Sequence, residues 1–118
     1  MAKFLFLYRN TPEKEAQDQS PDQMQEVMKA WWDWLGAGQA AGWVVEMGEA
    51  LVPEGKLVEA DHSVTDGPYA ESREIVGGFT IVEAPDMETA CKHARGCPIF
   101  EAGGRVEVRA VMDTQAPE

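Results

Sequence analysis

Basic side chains are scarce in this sequence: 10 Lys and Arg stand against 21 Asp and Glu in 118 residues, a formal net charge of −11. Those present are scattered singly, so no patch exists to track a phosphate backbone or an anionic bilayer, and nucleic-acid or membrane-surface binding is not expected. The acidity itself has an ordinary use in solubility. Histidine is rarer still. His62 and His93 are the only two, and no i,i+4 pair or His-Glu-x-x-His occurs. Cys91 and Cys97 are separated by five residues, which fits neither a zinc knuckle nor a Cys-x-x-Cys redox motif. They are expected to be two reduced thiols of a cytosolic protein. No apolar run approaches the roughly 18 residues that span a bilayer. Met1-Ala2-Lys3 leads directly into a β-prone run rather than a signal-peptide n-region, so the expected location is the cytoplasm. The glycine pairs Gly77-Gly78 and Gly103-Gly104 stand at strand entrances and open no helix, so a phosphate loop is absent. Neither Gly-x-Ser-x-Gly nor a Cys-His nucleophile signature appears. A carboxylate-only cation site has no supporting pattern, and no cofactor is called for.

What is present reads as one domain with a core of its own, 44% of it hydrophobic. Phe4 to Tyr8 is a continuous apolar run, the mark of a strand covered on both faces, with Arg9 at its exit. Asn10 to Gln19 reads as a polar loop. Ser20-Pro21-Asp22-Gln23 then starts a helix, with Ser20 as N-cap, Pro21 at its first position and Gln23 closing a capping box. Gly42 should end it after Ala41. The apolar stripe is Met24, Val27, Met28, Trp31 and Leu35, flanked by Trp32 and Trp34. That is more aromatic surface than one face can bury on a small sheet, so Trp32 or Trp34 is expected at a pocket or a subunit contact. Trp43 to Leu51 reads as a second strand. Two short arms surround Asp61, a strand runs from Gly78 to Glu83, and Pro85-Asp86 opens a second helix that Gly96 stops. Arg105 to Val111 alternates strictly as a final strand, and the last residues are expected to fray. Strand, helix, strand, small hairpin, strand, helix, strand is the split βαβ plan of a ferredoxin-like α+β domain. Both helices fall on one sheet face, and the other needs cover, which predicts a homodimer.

The least ordinary stretch runs from Val64 to Thr80. A β-prone piece stops at Asp66-Gly67-Pro68, mixed charge follows at Glu71, Arg73 and Glu74, and Gly77-Gly78-Phe79 begins a new strand. Asp-Gly-Pro makes a hard turn, because glycine accepts positive φ and proline restricts the residue before it. Such a turn would fix the Asp66 carboxylate at a strand end. It is then either a general base, if burial raises its pKa, or an ionised turn residue without chemistry. His62, four residues earlier, could meet it across the hairpin. Glu49, in an otherwise apolar neighbourhood, could point into a cavity.

Val64-Thr65-Asp66-Gly67-Pro68-Tyr69-Ala70-Glu71, with Glu74 and Gly77-Gly78-Phe79, resembles the signature of the DGPF-type branch of the YCII-related family, with Tyr69 where that name has Phe. The likeness extends over the chain as a single domain of residues 1–118, through the Trp-rich helix, Gly48-Glu49-Ala50-Leu51, Pro98-Ile99-Phe100 and Val106-Glu107-Val108-Arg109. It implies a dimeric α+β barrel with a cleft in each subunit. Some relatives are thought to use a His–Asp pair, and one branch eliminates chloride from a chlorinated aromatic ring. That His would stand at position 23, where this chain has Gln23, and Gln cannot act as a general base. The His–Asp mechanism is therefore not carried over. DGPF-type members are also often encoded beside bacterial extracytoplasmic-function sigma factors.

Two readings follow. In one, the chain is a small-molecule-binding homodimer, with lyase- or isomerase-type chemistry at Asp66 and ligand contacts from Arg9, Trp31, Trp34, Glu49, His62, Tyr69 and Glu74. In the other, it is a non-catalytic interaction or ligand-sensing module acting with a transcription regulator.

Overall fold

A computed structural model describes residues 1–11, 20–67 and 75–114. In chain order these form β1 (Ala2–Asn10), α1 (Pro21–Ala41), β2 (Val44–Ala50), β3 (Gly55–Val58), β4 (Val64–Gly67), β5 (Ile75–Ala84), α2 (Met87–Ala94), a 3-10 turn (Pro98–Ala102) and β6 (Arg105–Ala110). Four strands pair antiparallel in the order β2-β5-β1-β6, and β3 and β4 make a separate two-stranded hairpin. This is the expected ferredoxin-like α+β plan with a hairpin inserted between its second and third main strands.

The helix starts follow from the caps. Ser20 Oγ accepts from Gln23 N–H, the Gln23 side chain accepts from Ser20 N–H, and Pro21 lacks the donor that the first turn would leave idle. At the other end Gly42 takes φ +90°, the left-handed value that a C-cap needs. In α2, Asp86 caps Thr89 N–H at 2.8 Å, and His93 and Lys92 lie in the last turn, where the helix dipole favours them.

The core lies between the helices and one face of the sheet. Alternation along β1 sends Phe4, Phe6 and Tyr8 into it, where they meet Val82, Ala84, Ala90 and Ala94. Trp31, Trp34 and Trp43 close over these. Trp31 stands edge-on to Tyr8 at 4.7 Å between ring centroids, and Trp34 stacks over Phe6 at 6.3 Å. Gly38 makes this closeness possible, since a Cβ there would stand 2.6 Å from the Trp43 ring.

Three expectations need correction. The apolar stripe of α1 packs only from Trp31 onward; Met24, Val27 and Met28 are exposed, as is Trp32 at 57%. The helix lies against β2 and the 3-10 turn, and residues 21–29 are all exposed. Asp66 and Gly67 belong to β4, paired with Lys56 and Gly55, and the turn expected to follow them lies outside the described residues. Gly77 and Gly78 lie inside β5 and not at its entrance. A Cβ on Gly78 would come 2.7 Å from the Glu49 carbonyl oxygen, so glycine is what lets the end of β2 approach. Asn10, expected in the polar loop, is instead the last residue of β1, while residues 12–19 of that loop and the last four residues lie outside the described residues.

Candidate functional site

Cross-strand partners in a sheet project to the same face. With Phe4, Phe6 and Tyr8 under the helices, Leu5, Leu7 and Arg9 point the other way. The register places Ile81 and Phe79 of β5 beside Leu5 and Leu7, and Arg109, Glu107 and Arg105 of β6 beside Leu5, Leu7 and Arg9. This open face has a half-buried apolar centre of Leu5, Leu7, Phe79 and Ile81, with charge along its β6 margin. No described helix covers it.

At that margin the Arg9 guanidinium donates to Glu107 Oε1 at 3.0 Å, and Arg109 Nε lies 3.9 Å from Glu107 Oε2. Both ion pairs are partly exposed, so each contributes well under about 1 kcal/mol to stability. Their effect is to hold Arg9 in a fixed direction. Arg9, Arg105, Val106 and Glu107 line a cleft of about 420 Å³.

A second hollow of about 410 Å³ lies at the base of the hairpin, between Glu54, Gly55, Lys56 and Asp66. Lys56 Nζ donates to Asp66 Oδ1 at 2.6 Å, and the Asp66 side chain is 88% exposed. His62 lies at the opposite end of the hairpin, in the turn joining β3 to β4, at φ +72°. Histidine is among the residues that tolerate this left-handed conformation. Asp61 holds the same turn by accepting from Ser63 N–H and Ser63 Oγ–H, bonds that lower its pKa.

The expected site residues are thus distributed rather than gathered. Arg9 and Glu49 both belong to the open face, Glu49 opposite Phe79 on β2, two strands away from Arg9. Trp31 and Trp34 lie across the sheet, packed on Tyr8 and Phe6, because residues 8 and 9 alternate faces. Asp66 and His62 occupy opposite ends of the hairpin. Tyr69 and Glu74 lie outside the described residues. Gln23 is committed to its capping box. Sequence reasoning missed Arg105 and Glu107, although the strict alternation from Arg105 to Arg109 already placed three charged side chains on one face.

Among the described residues no group of three or more His, Cys, Asp or Glu could hold a metal ion, and no helix is long and apolar enough to cross a membrane. One buried hydrogen-bond chain is internal to the core. Tyr8 Oη–H donates to Thr80 Oγ1 at 2.6 Å, and Thr80 Oγ1–H donates to the Met47 carbonyl at 2.9 Å.

A family model described as the YCII-related domain matches residues 2–115. The chain belongs to that family. A solved structure of 5-chloro-2-hydroxyhydroquinone dehydrochlorinase from Burkholderia phenoliruptrix AC1100, in complex with 2,5-dihydroxybenzoquinone, is similar to this YCII-related chain. The TM-score is 0.52 and the identity 16%, over 95% of each chain. At that identity the likeness speaks to the fold. No curated protein matches the sequence.

Proposed function

We propose that this YCII-related chain, of the DGPF-type branch, is a small-molecule-binding protein that works as a homodimer through the open face of its sheet. The observation that carries the reading is the asymmetry of that sheet. One face is sealed by two helices, while the other presents Leu5, Leu7, Phe79 and Ile81 beside a charged cleft at Arg9. A half-buried apolar centre of this kind calls for a second layer, and a cleft at its edge is where a ligand is enclosed when the layer arrives. The solved dehydrochlorinase with its bound quinone supports small-molecule binding on this fold. Arg9 orients the ligand, and Asp66 supplies a carboxylate that fixes a polar group. Any proton transfer of the lyase or isomerase type would fall to Asp66, since position 23 carries Gln.

The alternative, a ligand-sensing or interaction module acting with a transcription regulator, draws on α1. Its first turns leave Met24 and Met28 each 54% exposed, outside the open face.

A thermal-shift screen against aromatic, lactone and carboxylate metabolites separates the two. A ligand at about 100 times its dissociation constant adds about 2.7 kcal/mol. Asp66→Asn removes an exposed ion pair, so it should cost less than about 1 kcal/mol of stability while abolishing the ligand-induced rise. A large loss of stability would make Asp66 a structural hairpin residue, and an unchanged ligand shift would remove it from the site.

A further inference from the structure

β3 and β4 hydrogen-bond to each other and to no other described strand. A two-stranded hairpin on its own is marginal in water, so this arm needs a surface to lie on. Its register sets Val58 opposite Val64, with Lys56 and Asp66 two residues along on the same face. That face is open: Val58 is 72% exposed and Val64 58%. The arm leaves the sheet where Leu51 N–H donates to the Gly77 carbonyl at 2.9 Å, and the next residue, Val52, is exposed as well. Its root therefore adjoins β2 and β5, the strands that carry Glu49, Phe79 and Ile81 of the open face. The exposed Met24 and Met28 of α1 have no such continuity, because α1 packs on the other side of the sheet.

Area points to what covers the arm. Four strands about 4.8 Å apart, of the lengths given above, give the open face a flat footprint of roughly 450 Å². Homodimer interfaces commonly take roughly 1,000 Å² or more from each partner. A chain of net charge −11, repelling its own copy, needs no less. The open face alone therefore falls short. The chain measures 49 × 38 × 21 Å, and its radius of gyration of 16.1 Å exceeds the roughly 13.5 Å of a compact domain of this length. The excess is surface standing off the core, and the arm is the part of it continuous with the open face.

We propose that the β3–β4 hairpin is a clasp on a second copy of this chain. In the homodimer each arm lays its Val58 and Val64 face on the partner and extends the contact made by the open face. The hollow beside Lys56 and Asp66 opens on that same arm, so docking gives it a wall from the second copy. This rests on the homodimer reading above and adds a second element to its interface.

Hydrogen–deuterium exchange of peptides from residues 55–67 tests the proposal, on the full chain as wild type and as the Leu7→Glu monomer. Sedimentation gives the dimer dissociation constant of the wild type and of a Val58→Thr, Val64→Thr double variant. Threonine keeps the branched shape and the strand preference and removes apolar surface. In the wild-type dimer the hairpin amides should exchange at least about tenfold more slowly than in Leu7→Glu. The threonine variant should weaken the dimer at least about tenfold, since a two-fold contact carries each substitution twice. Hairpin amides that exchange equally fast in dimer and monomer overturn the clasp, because the arm is then docked on nothing. Equal protection in both overturns it by showing that the arm rests on its own chain. An unchanged dissociation constant in the threonine variant overturns it by leaving the Val58 and Val64 face outside the contact. Each of these results leaves the open-face dimer standing. A wild type that is monomeric, or a dimer indifferent to Leu7→Glu, removes the homodimer reading itself and the clasp with it.

Discussion

Tyr8 and Cys97 show what single buried side chains do in this core. Burial pushes the Tyr8 hydroxyl well above its ordinary 10.0, and pushes the Cys97 thiol from 9.0 up to about 12. Both groups therefore hold their protons in the folded chain at pH values where the unfolded chain releases them. A raised folded pKa contributes stability that is complete below the unfolded value and is lost as pH rises. Unfolding free energy should accordingly fall from about pH 9 toward pH 12, the interval set by Cys97. In Cys97→Ala the slope over that interval should shrink by one proton, as read from denaturant midpoints at stepped pH. An unchanged slope would show that the thiol titrates freely. Asp66 differs at the same scale: its carboxylate is 88% exposed and paired with Lys56, so it adds little to stability.

Among the elements, β2 depends most on one backbone position. Gly48 sits at φ +78° within the second of two register shifts against β5, and a Cβ there would fall 1.7 Å from the Phe79 carbonyl oxygen. Gly48→Ala should therefore cost about 3 kcal/mol or more, checked by chemical denaturation, because both the dihedral and the contact are refused. This bulge was not legible beforehand, since a glycine within a loosely alternating run marks a possible bulge without saying which face the following Glu49 takes. The elements themselves were legible. Ser20-Pro21-Asp22-Gln23 and Gly42 specify both ends of α1 through local hydrogen bonds, which sequence displays directly. The site was less so. Which face of β1 holds Arg9, and that Arg105 stands opposite it, depends on strand register between residues almost a hundred positions apart. The exposed Met24, Val27 and Met28 were likewise invisible, because periodicity gives the apolar side of a helix but not how far the sheet extends beneath it.

For the molecule as a whole, the account turns on the sheet face that no described helix covers. Its Leu5, Leu7, Phe79 and Ile81 form an apolar strip inside a chain of net charge −11, whose self-repulsion in a dimer must be outweighed by burial of that strip. Assembly should therefore strengthen with salt, as like charges are screened. The mass in solution tests this most directly, measured by light scattering on the wild type and on Leu7→Glu. The chain mass is 13.0 kDa, and the expected wild-type value is twice that. Leu7→Glu should give a folded monomer with unchanged helical signal, because residue 7 lies away from the core. A monomeric wild type, or a dimer that survives Leu7→Glu, would contradict the claim that the open face is the working face.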